Sequence, residues 1–436
     1  MKGQLSPDVY DVDRQPDTWW RADAGDWASP LPLDTDIATD VAIIGGGYAG
    51  LGCARRPAEF GIAVTVLEAG DIGWGASGRN GGIVGLTSHK LDDARLLARH
   101  GRDEVARYHA AQLEGVGRLK AFCENNNLAN TLQGSGEAIY AHSYRAASVL
   151  AAESLPKGVS AEPLEPSDRD DMAQDGGVMI RPGFGVQPLR LVRALAQSAM
   201  DAGVRVYARS TVRNWHRTAG HHVLRSKLGT VRADRVVIAT NGFTPDGLYP
   251  EMDARAVPVI SNIAVTRPLT AGELAQHPWL GASPVCDTRN LLVYLRRLPE
   301  NRLLFGLRGD LTGADANAPA MRKRVVRRIG QCFPGWANIQ IDHFWRGPIC
   351  ATTALTPSVG PMENDKSVFH ALGWHGSGVN GAQVGGRLLA DVIAGAPLES
   401  IPAPFRGRAT RLPFAELRPL YVGAALLKQR ALDAMS

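Results

Sequence analysis

Residues 40–54 read DVAIIGGGYAGLGCA, and this stretch decides the fold. The continuous apolar run from Val41 to Ile44 is stopped by glycines, which is typical of a short buried strand. The residues that follow predict a helix from Tyr48 to Phe60, and IAVTVLEAG at 62–70 predicts a second, β-branched strand. Together the three elements predict a βαβ unit, in which a crossover helix joins two parallel strands.

Three glycines in this unit, Gly45, Gly47 and Gly50, have the spacing G-x-G-x-x-G. The first allows a tight turn, the second lets the backbone approach a pyrophosphate, and the third lets the helix pack on the strand. The helix N-terminus offers unpaired N–H groups and partial positive charge to phosphates. Glu68 ends the second strand, where a carboxylate accepts hydrogen bonds from ribose hydroxyls. A dinucleotide site is therefore predicted, and an acid at 68 argues against a 2′-phosphate without separating NAD from FAD.

Pro57 departs from the usual pattern of such a helix. A proline in the third turn removes one backbone hydrogen bond and clashes with the preceding turn, at a cost of about 3 kcal/mol. We therefore expect a kinked helix and weaker retention of the cofactor.

A second glycine-rich stretch, GDIGWGASGRNGG at 70–82, follows Glu68 directly. Its composition predicts a loop that wraps a ligand with backbone N–H groups, a hydroxyl and a guanidinium. A third stretch, GWHGSGVNGAQVGGRLLAD at 373–391, is another glycine-rich turn that leads into a helix. The first turn alone would suffice for a dinucleotide, so these residues by themselves leave the role of the third stretch open.

These segments resemble the FAD-dependent D-amino-acid oxidase/glycine oxidase (DAO) family, and most closely its γ-glutamylputrescine oxidase/L-pipecolate oxidase branch. The resemblance also includes QPLRLVRALAQSAMDAGVRVYARSTV at 187–212, VVIATNG at 236–242, DTRNLLVYLRRLPENRLLFG at 287–306 and WRGPICATTALTPSVG at 345–360. It implies FAD as the cofactor. It also implies that the third glycine stretch approaches the isoalloxazine, with the following helix aimed at the pyrimidine edge, where reduced flavin is negative.

The resemblance implies oxidation of a C–N bond in an amine or amino acid. A hydride passes to flavin N5, the imine is hydrolysed, and O2 is reduced to H2O2 or another acceptor takes the electrons. The residues predicted to bind FAD are Gly45, Gly47, Gly50, Glu68, Ala69, Ser77, Gly78, Arg79, Asn80, Gly81, Val212, Ala239, Asn241, Gly242, Gly373, Gly376, Gly378, Val379 and Asn380. We expect the FAD to be noncovalent, because GRNGG lacks the flavin-linking histidine of one subgroup, and Cys350 is interpreted as a small buried residue.

The motif places Trp374, His375 and Ser377 beside the flavin as candidate catalytic residues. Tyr294 and Arg296 are two apart on a predicted strand and face the same side. The arginine either holds a substrate carboxylate or forms a structural salt bridge. Asn380 stands where some sarcosine-oxidase relatives have a carboxylate-binding lysine, which argues against a small amino acid bound in their manner.

An α/β fold is predicted: a Rossmann-like FAD-binding domain with an inserted substrate domain, an α+β unit built on a mixed or antiparallel sheet. The FAD-binding domain is predicted at 38–90, 186–246 and 345–400, and the substrate domain at 91–185 and 247–344. Residues 1–37 are predicted as a surface arm and 401–436 as a tail helix, while 345–360 is expected to be irregular.

Composition and charge narrow the class of partner. The 436 residues carry a net charge of +5, and the densest basic run, MRKRVVRR at 321–328, is interpreted as a solvated helix face rather than a nucleic-acid surface. No stretch approaches the roughly 20 apolar residues of a membrane span, and no group of histidines and cysteines has metal-ligand spacing. The five isolated cysteines and the polar N-terminus predict a reducing cytoplasm.

Three alternatives stay open at this point. The same fold works as a dehydrogenase that passes electrons to a quinone or carrier protein; the chain is an NAD-dependent dehydrogenase; or it binds flavin without turnover. The identity of the amine, the electron acceptor and the oligomeric state do not follow from the residues.

Overall fold

Two large β-sheets organise the computed structural model, which describes residues 5–152, 155–167 and 170–435. The helices are α1 (Trp19–Ala24), α2 (Tyr48–Glu59), α3 (Asp93–His100), α4 (Arg102–Asn125), α5 (Tyr144–Ala152), α6 (Pro188–Asp201), α7 (Ala271–Ala275), α8 (Ala318–Cys332), α9 (Gly378–Ile393) and α10 (Arg418–Met435). The strands are β1 (Ile37–Ile44), β2 (Val64–Leu67), β3 (Ile83–Val84), β4 (Glu137–Tyr140), β5 (Ser160–Leu164), β6 (Gly177–Arg181), β7 (Phe184–Gly185), β8 (Arg205–Tyr207), β9 (Asn214–Thr218), β10 (His221–Arg225), β11 (Thr230–Ile238), β12 (Val257–Thr266), β13 (Val285–Asp287), β14 (Val293–Arg297), β15 (Leu303–Arg308), β16 (Ile341–Ala351), β17 (Ser358–Pro361) and β18 (Val368–Leu372).

The first sheet confirms the predicted βαβ unit and has the order β17-β18-β11-β1-β2-β8. Strands β18, β11, β1, β2 and β8 run parallel, and the hairpin β9–β10 extends β11. Strand β1 is central and apolar on both faces, as expected for a covered parallel sheet. Val41 and Ile43 pack with the helices on one face, while Ala42 and Ile44 pack with the hairpin on the other.

The second sheet is mixed, with the order β16-β12-β15-β14-β13-β4-β6-β5. One face packs against α8, where Leu295 and Phe305 meet Val325 and Ile329 in a buried apolar cluster. Because side chains alternate along a strand, the residues between these point to the opposite face, toward the glycine-rich segments. The predicted fold class, a Rossmann-like fold with a mixed-sheet insertion, is confirmed.

The prediction of irregular structure at 345–360 is wrong at both ends, because 345–351 belong to β16 and 358–360 belong to β17. Strand β16 pairs antiparallel with β12 as far as Ala351, so 345–351 lie in the second sheet and not with the first. Pro348 and the neighbouring glycine suggested a loop. Since β16 is an edge strand, a proline that cannot donate to a neighbour is tolerated there. The division of the chain into two domains otherwise stays a prediction.

Two helix predictions have different outcomes. Apolar residues three or four apart predict a helical region from Asp92 to Cys123. It forms two helices, because Gly101 has φ 78° and separates α3 from α4. Helix α2 continues through Pro57 and ends two residues later, so the proline is in the last turn and does not interrupt the helix.

The two ends of the chain also differ from expectation. The N-terminal arm does not lie only on the surface: Trp20 is 1% exposed and donates from Nε1 to Asn80 O at 2.9 Å. Within the predicted tail, the helix α10 begins only at Arg418. Across the described ranges, no helix is long and apolar enough to cross a membrane. The cytoplasmic location stays a prediction.

Helices α2 and α9 approach each other backbone to backbone. A Cβ built on Gly386 would lie 2.3 Å from Ala49 O and 3.0 Å from Cys53 N. One built on Gly52 would lie 3.1 Å from Gln383 O. These distances are shorter than a methyl group tolerates, so glycine at 386 and 52 sets the separation of the two helices.

We predict that Gly386→Ala lowers the free energy of unfolding by about 1–3 kcal/mol, because the methyl group forces two backbones apart. The matched control is Gly117→Ala in α4, where a Cβ meets nothing within 4 Å. That control is expected to be neutral or to stabilise by up to about 1 kcal/mol. Urea unfolding followed by tryptophan fluorescence measures both, and equal effects would contradict the close contact.

Candidate functional site

The residues predicted to bind the cofactor gather at the carboxyl ends of the parallel strands. Gly45 directly follows β1, Glu68 follows β2, Ala239 follows β11 and Gly373 follows β18. Val212 lies five residues after β8 and is 6% exposed. In open α/β sheets, ligands bind outside the carboxyl ends of the strands, so the topology places these segments at one candidate site.

The first glycine turn has the geometry that its spacing predicts. Gly45 has φ 110°, and a Cβ there would lie 2.8 Å from Ala239 O. A Cβ on Gly50 would lie 2.0 Å from Gly45 O, so the helix sits directly on the turn. Gly47 is the N-cap of α2 and supplies no side-chain hydrogen bond, while Tyr48 N donates to Ser77 Oγ at 3.0 Å. The helix N-terminus and the Ser77 hydroxyl thus form a polar cradle that fits a pyrophosphate.

Glu68 is held at the end of β2 by backbone donors. Its Oε2 accepts from Gly46 N at 2.7 Å and its Oε1 accepts from Gly70 N at 3.1 Å. Burial raises the pKa of Glu68 above its usual value, although these hydrogen bonds oppose the shift. The neighbouring Ala69 O accepts from Thr211 Oγ1 at 3.2 Å, which ties this end of β2 to the segment after β8. A carboxylate at this place suits the hydroxyls of an adenosine ribose.

Loop 70–82 is folded by its own polar groups. Asn80 Nδ2 donates to Ala76 O and Ser77 O at 3.1 and 3.0 Å, and its Oδ1 accepts from Gly82 N at 2.7 Å. A Cβ on Gly78 would lie 2.0 Å from Gly73 O, so glycine is needed where the loop turns back.

Arg79 brings an uncompensated positive charge into this loop. Its guanidinium lies 4.4 Å from the Trp74 ring centroid and 5.9 Å from that of Phe243, and Nε donates to Trp74 O at 2.5 Å. Burial lowers the pKa of Arg79 to about 10. Among the described residues no carboxylate lies within salt-bridge distance of it. A buried cation without a protein counter-charge suits an anionic ligand.

The third glycine stretch forms a turn at the end of β18 and the start of α9. Gly373 and Gly376 have φ 82° and 100°, and Gly373 N donates to Asn241 Oδ1 at 3.0 Å. Ser377 is the N-cap of α9 but gives no side-chain hydrogen bond to its first turn. The N-termini of α2 and α9 therefore both lie at this end of the sheet: α2 begins at a glycine N-cap with Tyr48 N bonded to the Ser77 hydroxyl, and the N-cap of α9 gives no side-chain hydrogen bond. The arrangement fits a long anionic cofactor such as FAD.

The remaining predicted cofactor residues pack close to this turn. A Cβ on Gly242 would lie 3.5 Å from Ile349 O, one on Gly378 would lie 3.3 Å from Trp374 Cβ, and Val379 is 4% exposed. Asn380 is 1% exposed, and its Nδ2 donates to Gly85 O and to Gln112 O and Oε1, at 3.1, 2.9 and 3.1 Å. The Asn380 side chain therefore joins α9 to α4.

Two of the candidate catalytic residues lie in the interior of the fold. Trp374 is 4% exposed and packs over Gly385, where a Cβ would lie 2.5 Å from its Cη2. His375 is 2% exposed; Nε2 accepts from Thr352 N at 3.2 Å and Nδ1 lies 3.1 Å from Ser88 O. Burial lowers the pKa of His375 to about 4, so the ring is neutral. Through these contacts Trp374 and His375 stabilise the conformation of the turn. Ser377, at the N-cap of α9, is half-buried.

Arg296 requires a correction. Its NH1 donates to Gly81 O, Gly82 O and Val186 O, at 2.9, 3.0 and 2.9 Å, and its NH2 donates to Gln133 Oε1 at 2.6 Å. Neither predicted role fits, because the side chain is 1% exposed and its partners are neutral oxygens. Arg296 anchors the glycine-rich loop to the second sheet.

Tyr294 does face the same side as Arg296, as predicted. Its ring lies over Gly306, where a Cβ would be 2.0 Å from Tyr294 Cζ. A Cβ on Gly81 would lie 2.9 Å from the same ring. The hydroxyl is 2.9 Å from Ser261 Oγ, and burial raises the pKa of Tyr294 to about 12. Tyr294 is a neutral hydroxyl group on the wall that faces the glycine-rich loop.

Sequence reasoning missed three charged residues on this wall. Arg308 NH2 donates to His375 O at 3.2 Å, and burial lowers the pKa of Arg308. Glu137 and Lys90 lie farther along, and Glu137 Oε1 accepts from Cys286 Sγ at 3.2 Å. Strands β4 (EAIY) and β15 (LLFGLR) each carry a single charged residue among apolar ones, and that is a signal that could have found Glu137 and Arg308.

The groups described so far are not arranged for metal binding. No cluster of three or more His, Cys, Asp or Glu side chains that could hold a metal ion occurs in the described part of the chain. Cys350 is 1% exposed in β16, its carbonyl accepts from His375 N at 2.9 Å, and burial raises the pKa of its thiol to about 12. These features agree with its interpretation as a small buried residue.

Comparison with known proteins identifies the kind of fold and its relatives. A family model described as FAD dependent oxidoreductase (DAO) matches residues 40–392. Over 429 residues the chain is 29% identical to the gamma-glutamylputrescine oxidoreductase of Escherichia coli strain K12, covering 93% of this chain and 96% of the relative. It is 25% identical over 383 residues to the glycine oxidase of Bacillus licheniformis, covering 83% and 94%.

Solved structures agree on the fold. The glycine oxidase of Geobacillus kaustophilus matches with a TM-score of 0.67 at 22% identity, covering 85% of this chain and 98% of that one. The L-proline dehydrogenase of P. horikoshii matches with the same TM-score at 19% identity, covering 85% and 98%.

We predict that stability falls as the pH drops from about 6.5 to about 4, in part because of His375. Its folded-state pKa of about 4 lies below the unfolded value, so below pH 6.5 protons bind the unfolded chain preferentially. The full loss from this residue is up to about 3 kcal/mol. In His375→Gln the urea midpoint should change less between pH 7.5 and 5 than in the parent protein, whereas the exposed His216→Gln should leave the pH dependence intact. An unchanged pH dependence in His375→Gln would contradict a neutral, buried His375.

Proposed function

The chain belongs to the DAO family of FAD-dependent oxidoreductases, and on that premise we propose that it oxidises a C–N bond of an amine or amino acid. FAD is its cofactor, which excludes an NAD-dependent dehydrogenase, and membership of a family of oxidoreductases argues against a flavin-binding protein without turnover. The observation that carries the proposal is that the polar face of the second sheet lies against the glycine-rich segments: Arg308 donates to His375 O at the α9 turn, and the Tyr294 ring lies against Gly81. Relatives whose names specify an amine or an amino acid support the substrate class.

The residues of the first sheet would hold FAD along its length. The α2 turn with Ser77 receives the pyrophosphate, Glu68 receives the ribose hydroxyls, and the α9 turn at Gly376 approaches the ring system. When bound, FAD supplies the acceptor for the two electrons that leave the C–N bond. The positive end of α9 stabilises negative charge that develops at the ring edge beside it.

The second sheet would hold and orient the substrate. Arg308 is a cation without a carboxylate partner in the described ranges and is therefore suited to an anionic group of the substrate. The neutral Tyr294 hydroxyl offers a hydrogen bond to the same molecule. The substrate loses two electrons and two hydrogens from its CH–NH unit, and water then converts the imine to a carbonyl compound and an amine or ammonia. Positioning suffices for this chemistry, and it requires no nucleophilic side chain.

We predict that the purified protein shows flavin absorption and that an amine or amino acid bleaches it in the absence of oxygen. The panel comprises γ-glutamylated diamines, pipecolate, sarcosine and D-amino acids. Bleaching by one compound supports C–N oxidation, and a holoprotein that no amine or amino acid in the panel reduces argues against it. Release of all flavin on acid precipitation is expected for noncovalent FAD.

The same preparation tests the electron acceptor. We propose oxygen, so re-admitted air should restore the flavin colour and form H2O2 in proportion to the substrate consumed. Slow recovery in air with fast recovery on adding a quinone would instead favour a dehydrogenase of the same fold.

We predict that Glu68→Gln weakens FAD binding by about tenfold to a hundredfold, because hydrogen bonds to a charged group contribute about 1.5–3 kcal/mol each. Glu59→Gln is the matched control, since that carboxylate lies at the far end of α2 and pairs with surface arginines. Titration of the apoprotein with FAD, followed by flavin fluorescence, gives both dissociation constants. Equal affinities for the parent protein and Glu68→Gln would remove Glu68 from the cofactor site.

A further inference from the structure

Four adjacent strands of the second sheet present one polar row toward the glycine-rich segments. Arg308 lies on β15, and Tyr294 on β14 is opposite Gly306, two residues away on that same face. Cys286 on β13 is opposite Tyr294. Cys286 is also aligned with Ile139 on β4, which is two residues from Glu137. Since residues two apart share a face, Arg308, Tyr294, Cys286 and Glu137 point the same way.

Glu137 lies at the far end of this row and is in no salt bridge in the part of the chain that the structure describes. Cys286 Sγ donates to its Oε1 at 3.2 Å, and a Cβ on Gly85 would lie 2.5 Å from its Oε2. Within the ranges that the structure describes, neither Glu137 nor Arg308 is in a salt bridge. By contrast, Arg346, 10% exposed at the side chain, pairs with Asp310 at 2.8 Å. The protein thus pairs a largely buried arginine elsewhere and leaves these two charges without partners.

The surroundings of Glu137 make this lack of a partner costly. Burial raises the pKa of Glu137, and a desolvated carboxylate needs a counter-charge or several donors to stay ionised. Lys90 and Cys286 are the titratable groups nearest to it, and Arg308 lies beyond them. Lys90 keeps accessible surface although protein atoms crowd it, and that crowding lowers its pKa to about 8. Lys90 is a cation near Glu137, but within the described ranges it forms no salt bridge with this carboxylate, so it offsets the buried charge only in part.

The separation of the two charges indicates the shape of what lies between them. Three steps between neighbouring strands, each about 4.8 Å, and an offset of four residues along the strands, each about 3.3 Å, put the backbones of Arg308 and Glu137 roughly 19 Å apart. A molecule that meets both needs opposite or complementary groups at its two ends, joined by a chain of several bonds.

We propose that Glu137 binds a positively charged group of the substrate, at the end remote from Arg308. The proposal rests on the proposed function and narrows it: the preferred substrates carry a second, unreacting ammonium group several bonds from the oxidised C–N bond. Glu137 is then a specificity-determining residue that contacts the substrate. It takes no part in the electron transfer.

Two matched pairs of probes test the charge directly: lysine against norleucine, in both enantiomers, and 1,5-diaminopentane against pentylamine. Members of each pair have similar length and differ in the distal ammonium. The FAD-loaded parent protein should be reduced at lower concentrations by the charged member of at least one pair. In Glu137→Gln the KM of that member should rise by about tenfold to a hundredfold, with kcat and the KM of the neutral member changed little.

Glu162→Gln is the matched control, because that carboxylate lies on β5 of the same sheet, exposed and paired with Arg181 at 3.0 Å. It should leave the preference unchanged, and Glu137→Asp should retain part of it. A fall in kcat with both probes of a pair, together with a shifted pH profile, would indicate a proton-transfer role and overturn the proposal.

The outcomes also separate this proposal from the function it rests on. If amines reduce the flavin but the parent protein shows no preference for the charged member of either pair, the proposal fails and C–N oxidation stands. If Glu137→Gln keeps the parent protein's preference for the charged probe, the proposal likewise fails while C–N oxidation stands. If no amine or amino acid reduces the flavin of the parent protein, the proposed function itself fails. If Glu137→Gln does not fold, the comparison of charged and neutral probes on the parent protein still tests the proposal.

Discussion

The close contact between helices α2 and α9 is the constraint on which the site depends. Gly386 on one helix faces Ala49 O on the other at a distance that excludes a methyl group. Helices usually pack with axes 8–10 Å apart, and small residues allow the closer end of this range. Since α2 follows β1 and α9 follows β18, this contact brings two N-termini to one end of one sheet. In the proposed site, two partial positive charges would then act on a single ligand that extends past both turns.

Side chains of the second sheet alternate between its two faces. One face packs into an apolar core, and the other carries polar groups. Leu295 and Phe305 face α8 and form an apolar core that needs no ligand. Tyr294 and Arg308 face the first sheet and the glycine-rich segments. The core face fixes the strand register, because a slip by one residue would exchange the two sets. The positions of the polar groups are therefore held by apolar packing on the opposite side of the sheet.

The sequence predicts the parts of this arrangement that depend on neighbouring residues. The βαβ unit follows from Val41–Ile44 and three glycines, and the α9 turn follows from its glycine spacing, because both signals are local. Strand β16 was missed because proline and glycine are read as loop residues, and only the sheet shows that this strand is an edge. Glu137 and Cys286 are 149 positions apart, and a parallel pairing between distant strands brings them together. No local pattern carries that information.

Arg296 and Arg308 show where such reasoning stops. Both lie on the same face of neighbouring strands. The alternation of side chains along a strand therefore predicts ligand contact equally for both. The two arginines differ in the segment that each one contacts across from the sheet. NH1 of Arg296 donates hydrogen bonds to the carbonyl oxygens of Gly81, Gly82 and Val186. These bonds hold the glycine-rich loop against the second sheet. Arg308 meets the turn at Gly376 with one hydrogen bond to a carbonyl and keeps an unmatched charge. An arginine whose donors are used by backbone oxygens stabilises the site, whereas one that keeps its charge unmatched is suited to binding the substrate.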